Sequence, residues 1–242
     1  MDRIYELFPR YDEAGKALIR KAYTIADEAL KEHTRSNGAP FIEHPVAVAV
    51  IACDEIGLSA ECIAAVFLHE AVRFSPETDI ESAGFGKDVY TIVDGLNKIS
   101  TIKPKDTRLE AENYKKLIVS YSKDPRVTVL KIADRLEVMR SLDMFPKQSR
   151  ERKVLETMML YIPLSHQLGL YIIKSELEDI YFRYADPEQY RAITNKLKST
   201  EGDRQKLMTQ FIEPLKQKLS DEGIQYKLKV RTKTALSIYK KM

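Results

Sequence analysis

Apolar residues recur with helical spacing along nearly the whole chain. Leu18, Ala22, Ile25 and Ala29 fall on one helix face. Pro45 to Ile56 is apolar on all sides and predicts a central, fully buried helix. Ser59 is placed to cap the next helix, which runs through Cys62, Val66 and Phe67 to about Phe74. Another helix is expected over Lys87 to Ile99. The polar run 100–107, STIKPKDT, reads as a mobile loop, and Tyr114, Leu117, Ile118 and Tyr121 mark the helix after it. Asp124 ahead of Pro125 predicts a capped helix through Leu130, Ile132 and Met139. Helical spacing continues over Arg150–Leu168, Leu170–Tyr184 and Pro187–Leu197, the last with Asp186 and Gln189 in a capping-box arrangement. A further helix spans Asp203 to Ser220, with a kink expected at Pro214.

After Gly223 the period changes. Ile224 to Arg231 alternates apolar and polar residues, which is strand patterning. A lone strand has nothing to pair with. The pattern therefore suggests a chain that ends just inside a second, sheet-containing domain.

Charge and composition narrow the possible functions. Lys and Arg number 39 against 36 Asp and Glu, a net charge of +3, too balanced to predict binding to DNA or a membrane surface. The N-terminus lacks the basic-then-apolar layout of a signal peptide. The longest apolar stretch, Val46 to Cys53, is too short to span a bilayer. Cys53 and Cys62 lie in apolar surroundings without metal-type spacing and read as reduced core thiols. Together these features predict a cytoplasmic protein.

Four histidines are present: His33, His44, His69 and His166. His44 precedes Pro45 at a helix start, and His69 is followed by Glu70 near the end of an apolar helix. Asp134 sits inside the apolar segment KIADRL, where a carboxylate needs a partner. Two imidazoles and two carboxylates on three helices are ligand types for a catalytic divalent ion. On spacing alone that signal is weak, and a satisfied polar cluster in the core is the favoured reading.

The runs RSNGAPFIEHPVAVA (35–49), AAVFLHEAV (64–72), VDGLNKI (93–99), KIADRLEVMRSL (131–142) and YIPLSHQLGLYIIKSELEDIYF (161–182) resemble, in order, the N-terminal half of the RelA/SpoT family. These enzymes make and destroy the alarmones ppGpp and pppGpp. The resemblance implies an all-α, HD-type phosphohydrolase-like bundle of roughly ten helices. It further implies an HD-type domain over 1–195, a linker helix over 196–222, and the start of a truncated α/β synthetase domain, with one strand, over 223–242. In the family a metal ion held by two His and two Asp activates water to remove the 3′-pyrophosphate. His44, His69 and Asp134 match three ligand positions. The fourth is Glu70 where the family has Asp.

Other positions depart further. The family's Glu-Asp pair after the HD pair is Arg73-Phe74 here, and the His-Asn after ADRL is Glu137-Val138. Arg35 matches a nucleotide-pocket arginine, but the basic-then-serine pair behind it reads Ser36-Asn37. Such losses imply a degenerate, inactive hydrolase site with vestigial ligands, in which Arg73 is expected to neutralise Glu70 or Asp134 where the metal would sit. At the C-terminus Arg231, Lys233, Ser237 and Lys241 match the family's ATP-binding positions, incomplete without the rest of the sheet.

The implied whole protein is a GTP pyrophosphokinase acting on GTP, GDP and ATP, with this region regulating its own synthetase domain. No cofactor is expected in this region; Mn2+ is implied if the hydrolase is alive, and Mg2+ for the full-length synthetase. A working alarmone hydrolase and a guanine-nucleotide sensor without turnover are the alternatives.

Overall fold

The computed structural model describes residues 3–80, 82–100, 124–228 and 233–242. Most of the loop read at 100–107, the helix expected around Tyr114–Tyr121, and Arg231 lie outside the described residues. The described residues fall into two compact units, within Met1–Leu177 and within Glu178–Met242.

The first unit opens with α1 (Arg3–Leu7) and α2 (Glu13–Leu30), the latter capped by Asp12, whose Oδ1 accepts from the Gly15 amide at 2.8 Å. Its buried seam runs through Ile19, Ala22, Ala26 and Leu30. That is one residue on from the expected stripe, leaving Leu18, Ile25 and Ala29 half-buried at its edge. α3 (Glu43–Val50) continues into a π-helical turn, Ile51–Ile56. The segment is buried as far as Cys53 and surfaces at Asp54 and Glu55, so it is not buried throughout as its composition suggested. Gly57, at φ +85°, ends it in a left-handed turn that a side chain would strain.

The central helix is α4 (Ala60–Phe74), which packs along α2 on one side and α5 (Lys87–Ser100) on another. Ala60 and every residue from Cys62 to Ala71 are buried, including His69 and Glu70. α6 (Pro125–Arg140) is capped by Asp124 as its sequence predicts and packs on α3 and α5. A single 3-10 turn (Leu142–Met144) leads to α7 (Lys147–Glu156), a π turn (Thr157–Tyr161) and α8 (Ile162–Gln167), a continuous helical run. α9 (Tyr171–Ala185) follows. Cys53 and Cys62 are free, fully buried thiols whose pKa values burial pushes up.

Gly95 of α5 faces Val127 of α6 with no room for a side chain. A Cβ there would stand 2.7 Å from Val127 Cγ2, a buried side chain. Gly95→Ala would gain about 1 kcal/mol of helix propensity, but the clash should cost more, at about 1–3 kcal/mol. Urea unfolding is expected to show a net loss that Val127→Ala in the same chain reverses.

In the second unit, α10 (Pro187–Ser199) is capped by Asp186, which accepts from the Gln189 amide at 3.1 Å, while the Asp186 amide donates to the Phe182 carbonyl at 3.0 Å, so the cap forms without the reciprocal half of a capping box. α11 (Glu201–Asp221) contains Pro214, and α12 (Ala235–Tyr239) returns to pack on α10. Phe182, Ile193, Ala235 and Leu236 form the core of this unit. Among the described residues no strand forms. Ile224 to Leu228 forms no regular element, and β pairing among the described residues is limited to a bridge between Thr34 and Pro40. The strand expected at Ile224–Val230 is therefore corrected over its described part. Alternation specifies a face, but a strand exists only when a second strand satisfies its amides. No described helix is long and apolar enough to cross a membrane.

Candidate functional site

Four elements of the first unit converge on a small cleft lined by His44, His69, Glu70, Lys131 and Asp134, with Pro45, Val48, Val66, Leu96 and Leu130 as its apolar wall. His44 enters at the first turn of α3. His69 and Glu70 come from the last turns of α4. Lys131, Asp134 and Glu137 recur every three residues along α6 and so share one face. α5 contributes Asn97.

Each imidazole is held at both nitrogens. His44 Nδ1 lies 2.6 Å from Glu137 Oε2, and its Nε2 lies 3.2 Å from Asp134 Oδ1. An ionised carboxylate only accepts, so carboxylates at both nitrogens favour a proton on each and the imidazolium form of His44. Burial opposes that charge, but Asp134 and Glu137 outweigh it and raise the His44 pKa from 6.5 to about 10. His69 is the opposite case. Its Nδ1 donates to Asn97 Oδ1 at 2.7 Å, leaving the Nε2 lone pair to accept from Lys131 Nζ at 3.2 Å. Burial, reinforced by the Lys131 charge, lowers its pKa from 6.5 to about 3, so it stays neutral. For Asp134, burial works against ionisation, yet Lys131 and His44 hold its carboxyl well below the usual range.

Every carboxylate in the cluster has its own cation. Glu70 Oε2 is 3.2 Å from Arg73 Nη1, Asp134 Oδ2 is 3.6 Å from Lys131 Nζ, and Glu137 Oε1 is 2.6 Å from Arg35 Nη2. The cations are not equivalent. The Lys131 side chain is 11% exposed, against 53% for Arg73, so Lys131 is the charge inside the cleft and Arg73 lies at its rim.

The residues picked out in the sequence mostly meet. His44, His69, Glu70 and Asp134 line one cleft. Arg73 reaches Glu70 and not Asp134, which instead pairs with His44 and Lys131. Phe74 stacks on Phe41, with ring centroids 4.7 Å apart, and on His33 at 4.5 Å; Phe41 in turn meets His44 at 5.6 Å. Val138 contributes only its carbonyl, which accepts from Ser141 Oγ at 3.3 Å. Arg35 is tied to Glu137 and to Ser141 Oγ at 3.1 Å. In the second unit, Lys233 and Lys241 are exposed and Lys241 lowers the pKa of Lys233, while the Ser237 amide bonds Thr234 Oγ1 at 3.3 Å.

Lys131 and Asn97 were missed by sequence reasoning. Both stand inside segments that had been singled out, KIADRL and VDGLNKI, where a polar residue at helical spacing from Asp134 or beside an apolar stripe was the available signal.

The chain matches the HD-domain family over residues 22–171. It belongs to that family. This HD domain is also homologous to SpoT/RelA-type enzymes over most of its length. It is 37% identical over 227 residues to the bifunctional (p)ppGpp synthase/hydrolase SpoT of Escherichia coli K12, covering 93% of this chain and 32% of that protein. A guanosine-3′,5′-bis(diphosphate) 3′-pyrophosphohydrolase of Aquifex aeolicus is 35% identical over 243 residues, 100% of this chain and 34% of its own. A GTP pyrophosphokinase of Myxococcus xanthus is 33% identical over 230 residues, 93% and 30% of the two chains. The chain thus spans about a third of the length of these relatives.

The HD resemblance implies a divalent ion, and the donors here do not fit one as arranged. A ligand must offer a lone pair. Both nitrogens of His44 are turned to carboxylates, and the one lone pair of His69 is taken by Lys131. Among the described residues no three His, Cys, Asp or Glu side chains are placed to hold a metal.

Proposed function

We propose that this HD domain is a degenerate alarmone hydrolase serving as a regulatory module of a cytoplasmic GTP pyrophosphokinase of the stringent response. The observation that carries the reading is Glu137. One of its oxygens holds His44 and the other holds Arg35, each at 2.6 Å. A single carboxylate thereby occupies the imidazole of the HD cluster and the arginine that the family resemblance assigns to the nucleotide pocket. His44 cannot accept a proton in this state, and His69 cannot accept one without displacing Lys131. Arg73 and Phe74 supply no acid or base where the family has two carboxylates.

In the longer protein the substrates are GTP or GDP and ATP, with Mg2+ as the synthetase's ion and the synthetase domain as this region's partner. Lys233, Ser237 and Lys241, with Arg231, belong to that ATP site. In this chain alone they are expected to produce no alarmone from ATP and GTP.

The test is incubation of the purified chain with ppGpp and Mn2+, followed by chromatography of the products. No pyrophosphate release is expected, and turnover on the order of 1 per second or faster would overturn the reading. Glu70→Asp should leave the chain equally inert, because Arg73, Phe74 and Glu137 are unchanged by it.

A further inference from the structure

We infer that the amine of Lys153 is a site of acyl transfer, open to a small acyl phosphate drawn in by the arginines beside it. The inference goes beyond the hydrolase reading and does not depend on it. Lys153 lies on α7, and its ammonium stands over the Phe145 ring, 4.5 Å from the centroid. Among the described residues no carboxylate lies within ion-pair distance of it. Glu156, three residues on, is taken by two arginines. Its Oε2 accepts from Arg135 Nη2 at 2.9 Å, and its Oε1 lies 3.7 Å from Arg152 Nε. Arg135 is also stacked on the Tyr161 ring at 4.2 Å, and its Nη1 donates to the Lys153 carbonyl at 3.4 Å. Asp134 acts on Lys153 from α6, but its oxygens are turned to His44 and Lys131. Three cations, Arg135, Arg152 and Lys153, therefore share the one carboxylate of Glu156.

This surplus of positive charge acts first on the amine. Burial disfavours the ammonium form, and Arg135 and Arg152 add to that against the opposing pull of Glu156 and Asp134, so the Lys153 pKa falls below its ordinary value. More of the uncharged amine is then present near neutral pH, and only that form has a lone pair for attack. The surplus acts next on the donor. The Arg152 side chain is 70% exposed, so its guanidinium can meet a phosphate arriving from solvent. Lys98 and Lys216 lack this setting. Lys98 is bonded to Asp94 at 2.6 Å and Lys216 to Glu213 at 2.9 Å, and in each the carboxylate raises the pKa.

In the transfer, the nitrogen lone pair of Lys153 attacks the acyl carbon and a C–N bond forms. The bond from that carbon to the bridging oxygen breaks, and phosphate leaves with the electron pair beside Arg152. The amine gives up one proton, to the departing phosphate or to water. The product is a neutral amide, so the cluster loses one positive charge while Arg135 and Arg152 keep Glu156.

The purified chain is incubated with acetyl phosphate near neutral pH and sampled early, and acetylated peptides are quantified by mass spectrometry. Lys153 is expected to gain acetyl about tenfold faster than Lys98 or Lys216. Arg152→Gln should slow acetylation of Lys153 by acetyl phosphate more than by p-nitrophenyl acetate, a donor without charge. Arg152→Lys keeps the charge and should keep most of the rate. Circular dichroism checks that both variants fold. Acetylation of Lys153 no faster than of Lys98 and Lys216 overturns the inference. Equal rates for wild type and Arg152→Gln, or equal slowing with both donors, overturns the part given to the arginine in drawing in the phosphate.

Discussion

Glu137→Ala is expected to cost about 3–5 kcal/mol of folding stability, the range for removing one partner from a buried ion pair. Glu137 is 4% exposed and has no water to fall back on. Its removal leaves Arg35 beside Ser141 Oγ alone and strips Nδ1 of His44 of its acceptor. Burial then disfavours both cations, and of the two carboxylates that tie α6 to the start of α3 only Asp134 remains, on His44 Nε2. Urea unfolding measures the loss. Glu137→Gln should cost less, since an amide oxygen can still accept one of the two bonds. A double-mutant cycle with Arg35→Ala isolates the pair, because the two changes together should cost clearly less than their sum. A loss within 0.5 kcal/mol of zero, the range of an ordinary surface change, would mean that Glu137 does not tie the two groups.

Stability should peak near neutral pH and fall on both sides, with one histidine behind each limb. The His44 pKa is raised from 6.5 to about 10, so the folded state holds a proton that the unfolded chain releases. Its contribution is complete below pH 6.5 and is lost as pH rises towards 10. The His69 pKa is lowered from 6.5 to about 3, so below pH 6.5 the unfolded chain takes up a proton that the folded state refuses. Its contribution is present above pH 6.5 and is lost as pH falls towards 3. Asp134, held low by Lys131 and His44, steepens the acid limb at its lower end. Thermal midpoints measured from pH 4 to 9.5 test the shape. His44→Gln should flatten the alkaline limb and His69→Gln the acid limb. A midpoint that rises monotonically across the range would show that His44 is not held as an imidazolium.

Helix positions were legible in the sequence because apolar periodicity and caps are local. Asp124 ahead of Pro125 and Asp186 ahead of Pro187 cap the helices they were expected to cap. The alternation after Gly223 misled because pairing is not local: Ile224 to Leu228 has strand patterning and no described partner strand. The burial of Pro45–Ile56 was overstated for a related reason. Composition does not reveal that the segment runs out to the surface at Asp54 and Glu55 through a π turn.

At the site, the four vestigial ligand residues were legible as residue types in a family order. The choice of counter-ion was not. Arg73 is three residues from Glu70 on one helix, so its pairing could be foreseen. Lys131 reaches His69 across 62 positions of sequence, a contact that only packing of α6 against α4 creates. Glu137 meets Arg35 and His44 over similarly long separations.

The stack of Phe74 on His33 and Phe41 also gives the molecule a natural place for an optical reporter. The chain has 13 tyrosines and no tryptophan. Phe74→Trp would therefore introduce a lone indole, with an emission separable from all other residues, at a half-buried position whose aromatic neighbours lead to His44. Its spectrum would report on whether a nucleotide enters the cleft, independently of whether anything is cleaved there. Titration with ppGpp, followed by emission wavelength, would then separate a nucleotide-sensing domain from a purely structural one.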